Sequence, residues 1–541
     1  MAEADYDVLI RGGTLYDGGG GPPVVGDVAV RGDTLVAVGP GLPGRGRLEL
    51  DARGLAVAPG FINMLSWANE SLLHDGRSQS DIRQGVTLEV LGEGWSMGPL
   101  NDALEAELVE EQGDLRYEID WTTLGEYLDG LVRRGVSCNV ASFVGATTLR
   151  IHELGHADRP PTPTELERMC ALARQALEEG AVGVSSALIY APATFAATDE
   201  LVALAAVAAE CDGLYASHIR NEGDGLLEAL DEFLTIAERS GCRAEVYHLK
   251  ASGRANWPKL PEMLARLETA RASGRPISAD MYTYHASSTG LDSVMPPWVQ
   301  EGGRKAWIAR LKDPAVRARV KQEMNTPTRA WDNGWLAAGS PENIILVSFR
   351  QEHLKPLAGR TLAQVAAERG ASPEDTAIDL VIEDQSNVGA AFFSMSEDNI
   401  RREIRVPWIT FCSDAQSVAA EGVFLKRSPH PRTYGAFARL LGRYVRDEGL
   451  APLEQAIHRL TALPAANLRI ARRGRLAAGY FADIVVFDPA TIADRATFDR
   501  PHQYAVGVRD VLVNGVPVLR DGEHTGARPG RVVRGPGYRG V

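Results

Sequence analysis

Eight short apolar runs, separated by amphipathic stretches of helical period, fill the middle of this chain and restrict its fold more than any other feature. They are Ala56–Ile62, Val86–Gly92, Cys138–Val144, Val182–Ala187, Leu214–His218, Ala244–His248, Ile277–Tyr282 and Pro407–Cys412. Their length and β-branched content read as strands. The stretches between them begin as helices do. Pro163-Thr-Glu-Leu-Glu-Arg-Met and Thr198-Asp-Glu-Leu-Val-Ala-Leu each pair a capping residue with acids in the first turn. Eight alternating units predict an α/β fold, a (β/α)8 TIM-like barrel over residues 57–473. Functional residues are then expected just past the C-terminal ends of the strands.

The two ends of the chain resemble each other. Tyr6-Asp-Val-Leu-Ile-Arg-Gly-Gly-Thr-Leu near the start and Ala482-Asp-Ile-Val-Val-Phe-Asp near the finish alternate and turn as short antiparallel strands do. Neither end is large enough to bury a core alone. One small β-sandwich built from residues 1–56 and 474–541 is the economical expectation. The gap between the seventh and eighth runs is too long for a simple connection, so a lid-like insertion is expected over about 286–400.

The net charge of −14 argues against nucleic acid as a partner, because phosphate binding needs a basic surface. No apolar run is long enough to span a membrane, and no membrane partner is expected. The opening Met-Ala-Glu-Ala-Asp-Tyr-Asp lacks the basic and apolar regions of a secretory signal. Five scattered cysteines without paired spacing fit a reduced cytoplasm, which is the expected location.

Two histidines close consecutive strand-like runs: His218 the fifth and His248 the sixth. Equivalent positions on adjacent barrel strands point both rings at one mouth, which is how metal ligands converge. Glu93 falls just past the second run in a glycine-flanked turn and is the candidate third ligand, its alternative being an ion pair with a lid arginine. Glu89 shares its parity but would lie deeper, where an unpaired charge is costly. Two histidines and a carboxylate form a catalytic zinc set with an open water position. Asp414 follows the eighth run and is placed to act as general acid/base, its alternative being a helix cap. Cys412 reads as a packed thiol. Lys250, Arg220, Tyr190, Tyr282, Tyr284 and Arg432 lie past strand ends or in loops of the same face, a set suited to a carboxylate-bearing small molecule.

These phrases resemble the amidohydrolase superfamily, and within it the D-aminoacylase (N-acyl-D-amino-acid deacylase) branch. The resemblance runs through Pro59-Gly-Phe-Ile, Gln84-Gly-Val-Thr, Ser217-His-Ile-Arg-Asn-Glu-Gly, His248-Leu-Lys, Ser413-Asp, His430-Pro-Arg-Thr-Tyr-Gly and Gly479-Tyr-Phe-Ala-Asp-Ile-Val-Val-Phe-Asp. It implies a zinc-bearing barrel in which His218 and His248 are ligands and Asp414 is the general acid/base. Lys250, Tyr190, Tyr282 and Arg432 then bind the substrate carboxylate. The chain also departs from the branch. Its first-strand His-x-His maps onto Leu65 and Trp67, the aspartate before it onto Asn63, and its bridging cysteine onto Gly94, beside Glu93. One zinc ion rather than two is therefore expected, with Glu93 replacing the cysteine and Trp67 filling vacated space in the substrate pocket.

The reading is a zinc amidohydrolase that cleaves the amide of an N-acyl amino acid, of D configuration by the resemblance. The alternatives are a cyclic amide hydrolase, deaminase or lyase on the same scaffold, or a metal-free, non-catalytic binding protein.

Overall fold

The computed structural model describes residues 4–540. Its centre is a closed parallel barrel. The strands are Phe61–Ser66, Val86–Leu91, Asn139–Ser142 with Val144–Gly145, Gly183–Ala187, Leu214–His218, Arg243–Val246, Ile277–Met281 and Ile409–Phe411. The third run bends at Phe143, so that Asn139–Ser142 pairs the second strand while Val144–Gly145 pairs the fourth. Closure falls between the first and eighth strands, where Asp414 N–H donates to Leu65 O (3.0 Å) and Trp67 N–H to Ala415 O (2.9 Å). The expected (β/α)8 architecture is therefore the one that forms.

The first run is not one strand. It breaks at Gly60: Ala56–Pro59 pairs Ile484–Phe487 in the sheet of the two termini, and Phe61–Ser66 opens the barrel. The cause is steric, since a Cβ on Gly60 would lie 2.1 Å from the Thr87 hydroxyl oxygen. Only a residue without a side chain lets the chain pass from one sheet to the other so close to the second strand.

The helices pack outside the barrel. Helix Pro163–Glu178 begins with a capping box: Glu165 N–H donates to the Thr162 hydroxyl (3.3 Å), and the Glu165 carboxylate accepts the Thr162 N–H (2.7 Å). Helix Thr198–Glu210 differs from expectation. Its N-cap is Ala197, and the Thr198 hydroxyl turns away to donate to Glu232 (2.8 Å).

Both termini build one nine-stranded sheet in which Ile484–Phe487 lies beside Ala56–Pro59. It encloses its own core of Val8, Ile10, Val28, Val30, Ile484 and Val486. Between the seventh and eighth barrel strands the chain forms a three-stranded antiparallel sheet, Ser287–Gly290, Gly389–Phe392 and Ile344–Ser348. Helices cover it around Trp307, Leu346 and Ile378. This layer lies over the barrel mouth and contributes Thr289, Asp292, Arg304, Asp332 and Phe392 to the cavity wall.

Candidate metal centre

Glu93 owes its position to the glycines beside it. Gly92 (φ +96°) and Gly94 (φ +66°) press the turn against the next two strands. A Cβ on Gly92 would meet Phe143 O at 2.6 Å, and one on Gly94 would meet the Ala187 Cβ at 2.7 Å. Gly94 N–H donates to the Ser185 hydroxyl (3.0 Å), which itself donates to Gly92 O. The turn leaves one side chain free to enter the barrel mouth, and it is Glu93, 3% exposed.

His218 ends the fifth strand, and His248 lies two residues past the sixth. His248 takes a left-handed backbone (φ +33°), held by its N–H donating to Asp280 Oδ1 at 2.7 Å. The two rings meet edge to face with centroids 4.4 Å apart. Glu93 Oε1 lies 3.0 Å from His218 Nδ1 and 2.9 Å from His248 Nε2. All three residues are buried, and their donor atoms lie within 4.8 Å of one another. Burial pushes the Glu93 carboxyl up, but His248 and His218 outweigh it and hold the group well below its usual range. Burial and Lys250 pull His248 down, yet Glu93 and Glu222 prevail and raise it to about 10.

Asp414 lies beside the end of the first strand, with φ +47°. Trp67 Nε1–H donates to its Oδ1 (3.1 Å), and Arg432 Nη1 lies 2.7 Å from its Oδ2. Burial raises the Asp414 carboxyl, opposed by Arg432 and His248. The Arg432 guanidinium lies 4.5 Å over the Tyr282 ring. Its approach to Asp414 is close but poorly aimed, so the Nε and Nη1 hydrogens remain without a hydrogen-bond acceptor. Two positive, buried N–H groups therefore have no acceptor beside a cavity of about 590 Å³.

Trp67, Glu93, Tyr190, His218 and His248 all line this cavity, as do Lys250, Tyr282, Asp414 and Arg432. The Tyr190 hydroxyl reaches Thr289 of the insertion at 2.7 Å. Arg220 does not line it. Its guanidinium is spent on Glu232 (2.7 Å) and on the carbonyls of Thr194 and Ala196 (both 2.8 Å), tying together helices outside the barrel. Arg220 is therefore not among the cavity contacts expected of it: two residues past a strand end, a long side chain can fold either way. Tyr284 is also turned away, donating to Asp494 (3.1 Å).

The positions that depart from the branch have other uses. Leu65 is fully buried in the barrel core. Asn63 clips the first strand to the eighth, donating to Ser413 Oγ (2.8 Å) and accepting the Ser413 N–H (2.8 Å). Glu89 lies below, fully buried, 3.0 Å from Asn63 Nδ2, with its carboxyl raised by burial. Cys412 is a buried free thiol.

Sequence reasoning missed Glu222 and Asp332. Lys250 Nζ donates to Glu222 Oε1 (2.6 Å), and Asp332 Oδ2 accepts the Glu222 N–H (3.1 Å). The i,i+4 spacing from His218 was a usable signal for Glu222. Asp332 arrives from the insertion and carried none.

A closed parallel barrel that gathers two histidines and a carboxylate at its strand C-termini has the form of a metal-dependent barrel hydrolase. The family model described as the amidohydrolase family matches residues 48–519, and the chain belongs to that family. It is similar to a D-aminoacylase of Alcaligenes xylosoxydans xylosoxydans, 34% identical over 540 residues, covering 98% of this chain and 99% of the relative. Among solved structures it resembles the N-acyl-D-glutamate deacylase of Bordetella bronchiseptica complexed with zinc and a phosphonate mimic of the tetrahedral intermediate. That match has a TM-score of 0.81 at 34% identity, over 98% of this chain and 99% of that one. A D-aminoacylase with a binuclear metal centre, described as activated by one metal and attenuated by a second, gives a TM-score of 0.81 at 34% identity over 98% and 100%.

Proposed function

We propose that this protein is a zinc-dependent deacylase that hydrolyses the amide of an N-acyl-D-amino acid and works with a single metal ion. The carrying observation is the convergence of His218 Nδ1 and His248 Nε2 on Glu93 Oε1 at 3.0 and 2.9 Å. Zinc bonds of ~2.0–2.2 Å in a tetrahedral array place donor atoms roughly 3.3–3.5 Å apart, a few tenths of an ångström from the present spacing. The donor set, two imidazoles and one anionic oxygen, fits that ion. Leu65 and the half-buried Trp67 offer no ligand for a second.

When bound, zinc would supply a Lewis acid that polarises the amide carbonyl and favours ionisation of water. The protein's own groups do the rest. Asp414 accepts the proton of the attacking water and returns it to the leaving nitrogen. Trp67 holds one oxygen of the Asp414 carboxylate by a hydrogen bond, and the Arg432 charge lies against the other. The unmet Nε and Nη1 hydrogens of Arg432 are suited to the substrate carboxylate, with Tyr190 and Tyr282 walling the same side. The insertion covers the mouth and limits water.

This reading implies a small carboxylate-bearing partner and, with all five cysteines free, residence in a reducing cytoplasm. No helix among the described residues is long and apolar enough to cross a membrane. The test is zinc content and release of free amino acid from N-acetyl-D-amino acids by wild type and H248A. Full activity in a zinc-free preparation refutes it.

A further inference from the structure

We propose that Glu222 is a positioning residue that orients both metal-facing histidines at once. The inference rests on the zinc reading above and adds to it the outer face of the centre.

Each imidazole has two nitrogens. Glu93 faces Nδ1 of His218 and Nε2 of His248. Glu222 faces the other two: its Oε1 is 3.2 Å from His248 Nδ1, and its Oε2 is 3.6 Å from His218 Nε2. The two rings are thus held between two carboxylates. A neutral imidazole that ligates through one nitrogen carries its proton on the other, and that proton needs an acceptor. Buried His218 Nε2 has no hydrogen-bond partner, and Glu222 Oε2 is the carboxylate oxygen that faces it.

Glu222 is held in place on both sides of its peptide. It is 6% exposed, and its N–H donates to Asp332 Oδ2 (3.1 Å) while its carbonyl accepts the Ser252 N–H (2.7 Å). Lys250 Nζ, 2.6 Å from Glu222 Oε1 and equally close to His248 Nδ1, balances the charge. Lys250 is 3% exposed and lines the same cavity as Arg432. A ring that ligates through Nε2 carries its proton on Nδ1, and Glu222 Oε1 is the carboxylate oxygen facing that atom. Asp332 comes from the insertion, so the covering layer also steadies the carboxylate that aims the ligands.

The experiment measures zinc dissociation constants by chelator competition for full-length wild type, H248A, E222Q and E222D, with ¹⁵N spectra of the histidine rings. E222Q is expected to lose 10–100-fold in zinc affinity. Its zinc-loaded spectrum should show the His248 Nδ1–H resonance moved upfield, because a neutral amide is a weaker acceptor than a carboxylate. E222D keeps the charge, guards against a folding failure of E222Q, and should fall between. Wild-type affinity and an unchanged Nδ1–H signal in whichever of E222Q and E222D folds, with H248A zinc-free, overturn the inference alone. Absence of zinc binding in wild type overturns the zinc reading itself.

Discussion

Glu93→Gln keeps the size of the side chain and removes one negative charge from the point where His218 and His248 meet. The carboxylate is 3% exposed and accepts two short hydrogen bonds, at 3.0 and 2.9 Å. Both contacts fall on Oε1, and an amide oxygen can still accept them, so the substitution removes charge rather than an acceptor. In the zinc-free protein His248, raised to about 10, loses an anionic neighbour and escapes by releasing its proton. At pH 7 that route limits the loss to roughly 4 kcal/mol, three units at 1.36 each, so a destabilisation of about 2–4 kcal/mol is expected. The pH dependence has a definite sign. His248 has a raised pKa, so its contribution is complete below 6.5 and lost as pH rises through about 10. Glu93 has a depressed pKa, so its contribution is present above 4.5 and lost as pH falls through its folded value. The gap between wild type and E93Q should be widest between these two ordinary values and close toward pH 10. Zinc affinity should fall by more than 100-fold, since loss of an outer hydrogen-bond partner alone costs 10–100-fold. Thermal denaturation of the zinc-free proteins across pH, with chelator competition at pH 7, measures both. Wild-type zinc affinity together with an unchanged melting temperature would refute the assignment of Glu93 as a ligand.

Gly94→Cys should not recreate the family's cysteine ligand: at φ +66° and 2.7 Å from the Ala187 Cβ, it should cost about 2–4 kcal/mol and leave zinc affinity no higher. Trp67→Phe keeps the ring but removes the 3.1 Å hydrogen bond to Asp414, so kcat should drop about tenfold with zinc affinity unchanged. Arg220→Ala should lower the melting temperature by loss of the Glu232 pair, roughly 1–3 kcal/mol, without changing KM; a raised KM would return Arg220 to the substrate site. Burial lifts Asp292 from 3.8 to about 6, so wild type should lose up to about 3 kcal/mol as pH rises through that interval. Asp292→Asn should remove that slope, and parallel stability curves for the two proteins between pH 4 and 7 would show the reasoning wrong.

The periodic parts of this protein were legible in its residues. Strand and helix periods are local, and a histidine that ends a barrel strand lies at its mouth, so the barrel and His218 follow from spacing, whereas His248, two residues past its strand, is turned inward by its N–H donating to Asp280. The family resemblance carried Asp414 and Arg432 further than spacing could. Contacts between distant segments were not legible. Whether Glu93 or Gly94 faces inward depends on Ala187 and Phe143 pressing on the turn. The strand break at Gly60 depends on Thr87. Arg220 and Arg432 look alike in sequence, and Glu232 with the carbonyls of Thr194 and Ala196 draws the first away from the cavity. Trp67 meets Asp414 across 347 positions, and Glu222 meets Asp332 across 110. A turn or a period is settled by neighbours in the chain, whereas the direction of a buried side chain is settled by which donor, acceptor or wall the closed fold brings within 3 Å of it.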